Sequence, residues 1–430
     1  MGLRGVAAGE VKALSLDPID AKTLGQSEEI LNDVETGGVK GFLKHAIRLG
    51  DLKSETDKYV FSKEDMKKAF DSLSEVDQNV LTRTGDRIRA FATVQRQSVK
   101  EVECSVPGGK AGQTLSAVKT AGCYAPGGRY PLPSSVLMTA ITARVAGVSC
   151  VWVASPNPQP VTLGAAYVAG ADALLGCGGA HAIGAFAFGM EGVVPPCDTI
   201  VGPGNRWVTA AKKLVSGRVA IDMLAGPSEC LVVADETADP AVIAADLLAQ
   251  AEHDTDALPI LVTTDGKLPN KVNEELSKQL ETLTTAAVAK VAVSKGFYVV
   301  CATIEEAAAV SNIIGPEHLE VMTQDSDKDA KLMTSYGGLF IGQKSAEVIG
   351  DYGAGPNHVL PTSGSARYTG GLSVFTFLRI RTWLRLDDEN SEAQTQLLED
   401  SVRLARLEGL EGHARAAECR LENPNKKQKI

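Results

Sequence analysis

The chain has 430 residues, 44% of them hydrophobic and 22% charged, which is length and apolar content for two or three domains with sizeable cores. A net charge of -10, with no basic stripe interleaved with aromatics, runs against a nucleic-acid partner and favours a small-molecule substrate. No apolar run approaches the length of a membrane span. The start, MGLRGVAAGEVKALSL, lacks the apolar core of a secretion signal, and Val6 misses the small hydroxyl expected for myristoylation. Eight scattered cysteines without a CxxC pair imply neither a zinc knuckle nor a redox couple, so a reduced, cytoplasmic compartment is the simplest expectation.

In chain order, the first hundred residues are charged and helical in pattern, as in SKEDMKKAFDSLSEVDQNVLTRTGDRIRAFATVQ, and read as scaffold. His45, in GFLKHAIRLG, belongs there and is expected to be structural. From Tyr124 the texture changes to short β-branched runs, CVWVAS, ALLGC, DTIVG, RVAIDM and ECLVVAD, with helical segments such as PLPSSVLMTAITARVAG among them. PILVTT, FYVVCAT and GGLFIG continue the series. Strands alternating with helices predict parallel βαβ units in two α/β domains. The last sixty residues, including SEAQTQLLEDSVRLARLEGLEGHARAAECRLE, return to a charged helical pattern and predict an appended arm or oligomerisation element with a solvated NKKQKI tail.

The stretches YAPGGRYPLPSSV and VGPGNRWVTAAKK each run from a turn into a helix, where main-chain N–H groups can meet a phosphate. Neither matches GxGxxG and no P-loop pattern occurs; GxSxG and HExxH are also absent, which lowers the serine hydrolase and metalloprotease classes. In DPAVIAADLLAQAEHD, Asp239 reads as an N-cap and Pro240 as the first helical residue, which puts Gln250 and His253 three apart on one helix face. Such a pair can hold a metal ion, and an exposed polar helix terminus is the plainer reading. In IGDYGAGPNHVLPT, residues 349 to 362, Asp351 follows an apolar run and precedes glycines and His358. Carboxylates at strand ends beside glycine loops gather at α/β sites, with a turn-forming Asp and a surface His as the alternative. LEGLEGHARAAE adds Glu408 and His413, which also fit a solvated helical face. One Gln, one Asp and two His would make a nitrogen and oxygen set without thiolate, suited to zinc and open to manganese or cobalt. GPEHLE, residues 315 to 320, sets Glu317 beside His318 after a Gly-Pro break. Two adjacent titratable groups on a loop can serve one reacting centre as acid and base, or be two surface polar residues.

Seven segments, YAPGGRYPLPSSVLMTA, IVGPGNRWVTAAKK, LAGPSE, LLAQAEHD, GPEHLE, GDYGAGPNHVLPT and LEGLEGHA, in this order and spacing, resemble the histidinol dehydrogenase family over roughly residues 30 to 420. The resemblance implies two incomplete Rossmann-like α/β domains with small helical extensions in an intertwined homodimer. Its domains would be an N-terminal extension over 1–25, a first α/β domain from 26–123 and 228–372, a second over 124–227, and a C-terminal helical arm over 373–430. It further implies zinc held by Gln250, His253, Asp351 and His413, the last supplied by the partner subunit. His318 would be the general base and Glu317 the residue that activates water. Ser228, His358 and Glu408 would join them in the substrate pocket, and Tyr124, His181 and Asn205 would contact NAD. The implied reaction oxidises L-histidinol through the aldehyde to L-histidine with two NAD in succession.

The chain departs from the family at GCGGAHAIGAFAFG, where His181 stands in place of the usual glutamine and changes reach and charge at the cofactor contact. SARYTGGLSVFTFLRIRTWLRLDD, residues 365 to 388, is a second unmatched stretch, and Arg367 in it is a candidate anion contact or a surface ion pair. Two other functions stand beside histidinol oxidation. One is oxidation of another small polar alcohol, such as a sulfonated diol, on the same machinery. The other is a catalytically silent homologue acting as a binding protein, against which the intact ligand residues and the Glu317–His318 pair argue.

Overall fold

The computed structural model describes residues 2–14, 19–127, 130–387 and 391–421; Gly128 and Arg129 of the first glycine-rich stretch and the NKKQKI tail lie outside them. The chain divides into two compact units, one of Met1–Arg96 with Val118–Phe377 and one of Gln97–Ala117 with Leu378–Ile430.

The larger unit carries two six-stranded sheets. In the first, Glu229–Ala234 is central, with Leu258–Thr263 on one side and His318–Met322 on the other. Phe297–Val300 and Arg4–Gly5 extend one edge and Gly338–Ile341 the other, and every neighbouring pair is parallel. Parallel strands are covered on both faces by their crossover helices, which is why they read as unbroken apolar runs. Leu231, Val232 and Val233 are accordingly all fully buried. In the second sheet Thr120–Tyr124 is central, between Cys150–Ala154 and Thr199–Val201; Ala173–Leu175 and Ala220–Ile221 flank these in parallel. Only the edge strand Val60–Phe61 is antiparallel. In both sheets the chain winds outward from the centre in one direction and then returns to fill the other side.

The helices Ala21–Gly37 and Val39–Arg48 pack on the second sheet, where Ile30, Val34 and Phe42 share a buried cluster with Tyr124 and Phe186. Residues 26–48 of these helices, expected to join the strands after residue 228, pack against the sheet of residues 120–221. His45 is buried there with Nε2 2.7 Å from Asp33 Oδ2, a structural histidine as expected.

In the smaller unit, Leu378–Leu386 pairs antiparallel with Gly109–Ala117, which pairs in turn with Val102–Val106. The expected helical arm therefore begins as a strand. LRIRTWLRL alternates apolar and polar residues except at Thr382–Trp383, a period nearer a strand's than a helix's. Helices follow at Glu392–Leu407 and Glu411–Leu421. Among the described residues no helix is long and apolar enough to cross a membrane.

Candidate active site

Helix Ile304–Ile314 ends at Gly315, whose φ of 59° is the left-handed cap that a side chain would strain, and Pro316 then forbids further helix. The next strand opens at His318, paired with Cys230 of the central strand. Glu317 and His318 are therefore at the buried amino edge of two adjacent strands, 6% and 3% exposed, and not on an open loop as expected. The chain turns directly into the sheet because LEVM is a buried strand sequence. Glu229 and Glu317 bridge these strands reciprocally: Glu229 N donates to Glu317 Oε2 (3.2 Å) and Glu317 N to Glu229 Oε2 (3.1 Å). Glu229 Oε1 also accepts from Ser363 N at 2.7 Å.

His318 Nδ1 lies 3.2 Å from the main-chain oxygen of Glu229. An Nδ1–H donated there leaves Nε2, which is buried without a hydrogen-bond partner, as the atom free to take a proton. Asp351 Oδ1 is 3.7 Å from Nε2, and Glu317 Oε2 and Glu347 Oε2 are 3.8 and 3.7 Å from Nδ1. Burial alone would lower the His318 pKa, but Glu347, Glu317 and Asp351 overcome it and hold the ring well above its usual range. Burial pushes Glu229, Glu317 and Glu347 each up to about 7. Asp351 is half-buried, and the neighbouring His318 holds its carboxyl below the usual value against the opposing effect of burial. The Ser228 side chain hydrogen-bonds Glu317 and favours its ionised form.

Helix Pro240–Ala251, capped by Asp239 Oδ1 accepting from Ala241 N at 2.8 Å, returns from the carboxyl end of the central strand and brings the buried Gln250 to this same edge. Gln250 Oε1 stands 3.0 Å from His318 Nδ1, where it shares the Nδ1–H with the Glu229 carbonyl and keeps a second lone pair for a ligand role. The helix stops at Ala251, and a tightened last turn, His253 N to Gln250 O at 3.3 Å, carries His253 into the following turn. There the ligand atoms of His253, Glu347 and Asp351 lie within 4.8 Å of one another. Asp351 ends the short helix Glu347–Asp351, where a strand end was expected, since EVIGD lacks the length and pairing of a strand. His358 Nδ1 meets the main-chain oxygen of Asp351 at 3.0 Å, and its Nε2 is 3.4 Å from Ser135 Oγ. Burial lowers its pKa. Glu408 and His413 belong to the smaller unit, Glu408 capping Glu392–Leu407 and His413 within Glu411–Leu421, both exposed.

Sequence reasoning missed Glu229 and Glu347. Glu347 stands four residues before Asp351 in EVIGD, the spacing that shares a helix face, and that signal was available. Glu229 carried none, because a carboxylate opening a β-branched run reads as a strand terminus.

At the carboxyl edge of the second sheet, Tyr124 ends the central strand and its hydroxyl accepts from Gly179 N at 3.2 Å. Gly202 follows the neighbouring strand with φ 113°, so close that a Cβ would stand 2.0 Å from Tyr124 O. Asn205 then caps helix Arg206–Val215, its Oδ1 accepting from Trp207 N and Val208 N at 3.1 Å each. His181 is 1% exposed in helix Gly179–Phe188, with Nε2 2.9 Å from Asp51 Oδ2 and Nδ1 unpartnered. Asp51, Cys177 and His181 could together face a cation, but burial keeps the Cys177 thiol protonated and Asp51 already accepts from Gly178 N at 2.8 Å. Tyr124, the Gly202–Asn205 turn and Gly179 thus border the point where strand order reverses, the place where α/β sheets bind ligands.

A family model described as histidinol dehydrogenase matches residues 18–421. The chain belongs to the histidinol dehydrogenase family. It is an oxidoreductase family acting on an alcohol. The chain is 46% identical over 356 residues to histidinol dehydrogenase of Thermus thermophilus, covering 82% of this chain and 85% of that one. It is 40% identical over 401 residues to sulfopropanediol 3-dehydrogenase of Ruegeria pomeroyi, covering 91% of each. A solved histidinol dehydrogenase from Elizabethkingia anophelis superposes with a TM-score of 0.90 at 30% identity, over 98% of this chain and 99% of that one. The mixed α/β fold with parallel sheets is that of the family.

Proposed function

We propose that this protein oxidises L-histidinol through L-histidinal to L-histidine, using zinc and two NAD in succession. The observation that carries the reading is the gathering of Gln250, His253 and Asp351 around the same buried edge that holds Glu317 and His318. The donor set fits zinc: an amide oxygen, an imidazole and a carboxylate held below its usual pKa, with no thiolate. The Nδ1–H of His318 orients the Gln250 amide oxygen. When bound, zinc would hold the substrate's imidazole and amine as a template and NAD would accept the hydride.

His318 Nε2 takes the alcohol proton as hydride leaves. His318 then gives that proton up to solvent, Glu317 takes a proton from the water that adds to the aldehyde, and a second hydride departs from the hydrate as its hydroxyl proton passes to the freed His318 Nε2. A divalent cation on Asp351 would oppose the carboxylates that raise the His318 pKa, returning the ring toward a base that works near neutrality. Ser228 and His358 flank this edge as pocket residues. Tyr124, Asn205 and the segment around His181 form the NAD crevice. The two sheets are incomplete Rossmann-like halves, and His413 and Glu408 reach the site from a second copy in an intertwined homodimer.

The 40% identity to the sulfopropanediol enzyme supports one second reading, the same machinery on a small anionic diol. Arg367 is exposed and its Nε donates to Gly364 O at 3.0 Å, beside Gly315. The deciding experiment supplies the zinc-loaded protein with L-histidinol and with a panel of small polar alcohols. Two NADH per histidinol, with histidine as product, is the expected result. Turnover of a sulfonated diol with histidinol inert would overturn the substrate and keep the chemistry.

A further inference from the structure

The Gly202–Asn205 turn is held from below by groups that the reaction does not use. Lys212, seven residues into the helix that Asn205 caps, is 2% exposed, and its Nζ donates to Gly202 O at 2.9 Å and pairs with Asp222 Oδ1. Asp222 lies just past the strand Ala220–Ile221, with its side chain wholly buried. Its Oδ2 accepts from Gly202 N at 2.7 Å and its Oδ1 from Met223 N at 2.7 Å. Both main-chain polar groups of Gly202 are therefore taken by one ion pair. The carbonyl binds the cation and the amide binds the anion.

Removing two charges from water is costly, and an apolar pair of similar volume generally holds a core as well. What an apolar pair cannot do is fix the orientation of the Gly202 peptide groups. That orientation sets where the turn departs beside Tyr124, because Gly202 packs against the Tyr124 carbonyl too tightly to admit any Cβ. It also sets the direction of Asn205 and of the N–H groups at the helix start. A turn whose amides must meet a dinucleotide has to be rigid before the ligand arrives, since ordering it on binding would weaken affinity.

We propose that Lys212 and Asp222 are positioning residues for the cofactor turn: the buried pair holds Gly202–Asn205 in the conformation that receives the dinucleotide, and contributes nothing to zinc or substrate binding. The proposal rests on the reading of this turn as the NAD crevice.

Single removal of Lys212 would leave Asp222 charged and buried, so the test uses the neutral double variant Lys212→Met with Asp222→Asn, in which the introduced amide oxygen can still accept from Gly202 N. Lys212→Arg serves as the conservative control, and Asn205→Ala reports on the turn itself. NADH affinity is measured by fluorescence titration of the zinc-loaded protein, with zinc content and the KM values for NAD and histidinol alongside. The double variant is expected to bind NADH at least tenfold more weakly and to raise the NAD KM similarly. Zinc content, histidinol KM and kcat at saturating NAD stay within about twofold. Lys212→Arg is expected to recover part of the NADH affinity. Weaker NADH binding in Asn205→Ala with wild-type affinity in the double variant would overturn the role of the pair. Wild-type affinity in both would overturn the reading of the turn, and the pair's role with it. Parallel loss of zinc, histidinol and NADH binding would show a merely structural pair and also overturn the proposal.

Discussion

His318 is the residue on which the proposed chemistry turns, because its Nε2 is buried, unpartnered and faces Asp351. His318→Gln keeps the volume and removes the proton acceptor. It should lower kcat by about 10²–10⁴-fold with zinc content intact, and full activity would move the base elsewhere. His253→Ala should shed the metal, read by metal analysis, while the fold persists, since His253 is exposed beyond the helix end; retained stoichiometric zinc would refute its place in the ligand set. Glu320 makes a different kind of prediction. It is 1% exposed in the strand His318–Met322 and faces Asp246, and burial, then Asp246, pushes it up to about 9, while burial pushes Asp246 up to about 6. Both folded-state values exceed those of the unfolded chain, so the folded protein binds more protons and its stability declines as pH rises from about 4 toward 9. Urea midpoints across that range should fall less steeply for Glu320→Gln than for wild type; identical slopes would remove the pair from the account.

At the scale of elements, the site depends on where helices deliver their ends. Gln250 reaches the amino edge of the first sheet because a helix after a parallel strand must run back along it. The loop carrying His358 is pinned to two helices, to Pro133–Ala146 by Asn357 Nδ2, which donates to Met138 O at 2.9 Å, and to Glu75–Gln97 by Arg87 Nε, which donates to Gly353 O at 2.6 Å. Gly202 tests this delivery directly. Gly202→Ala places a side chain at φ 113° and against Tyr124 O, which should cost about 1–3 kcal/mol of stability. NADH binding should fall further than the urea midpoint predicts; unchanged affinity in a folded variant would separate the turn from the cofactor. Two motifs were legible at this scale: LLAQAEHD closes a helix and VGPGNRW turns into one. Settings were less so. GPEHLE is a strand start, not a loop, and His253 lies past its helix, because burial of LEVM and the tightening of a last helical turn are decided by neighbours outside each motif.

At the scale of the whole molecule, the proposed homodimer makes each site a joint product of two chains. Mixing His318→Gln with His413→Ala protein, unfolded and refolded together, would then assemble mixed dimers in which one site has all its native residues. Random pairing should restore about a quarter of wild-type activity from two inactive parents. No recovery, with mixed dimers demonstrated, would place His413 outside the partner's site.

Composition, motif order and β-branched periodicity in the sequence determined the α/β class, the family resemblance and the residue types of the proposed ligand set, because these follow from local pattern and chemical identity. The tertiary structure alone decided that the second sheet is covered by residues 21–48, that Leu378–Leu386 is a strand of a separate unit, and that Glu229 and Glu347 belong beside His318. Each of these is a contact between segments far apart in the chain. Such contacts are chosen by competition among all buried surfaces at once, and no local spacing encodes the winner.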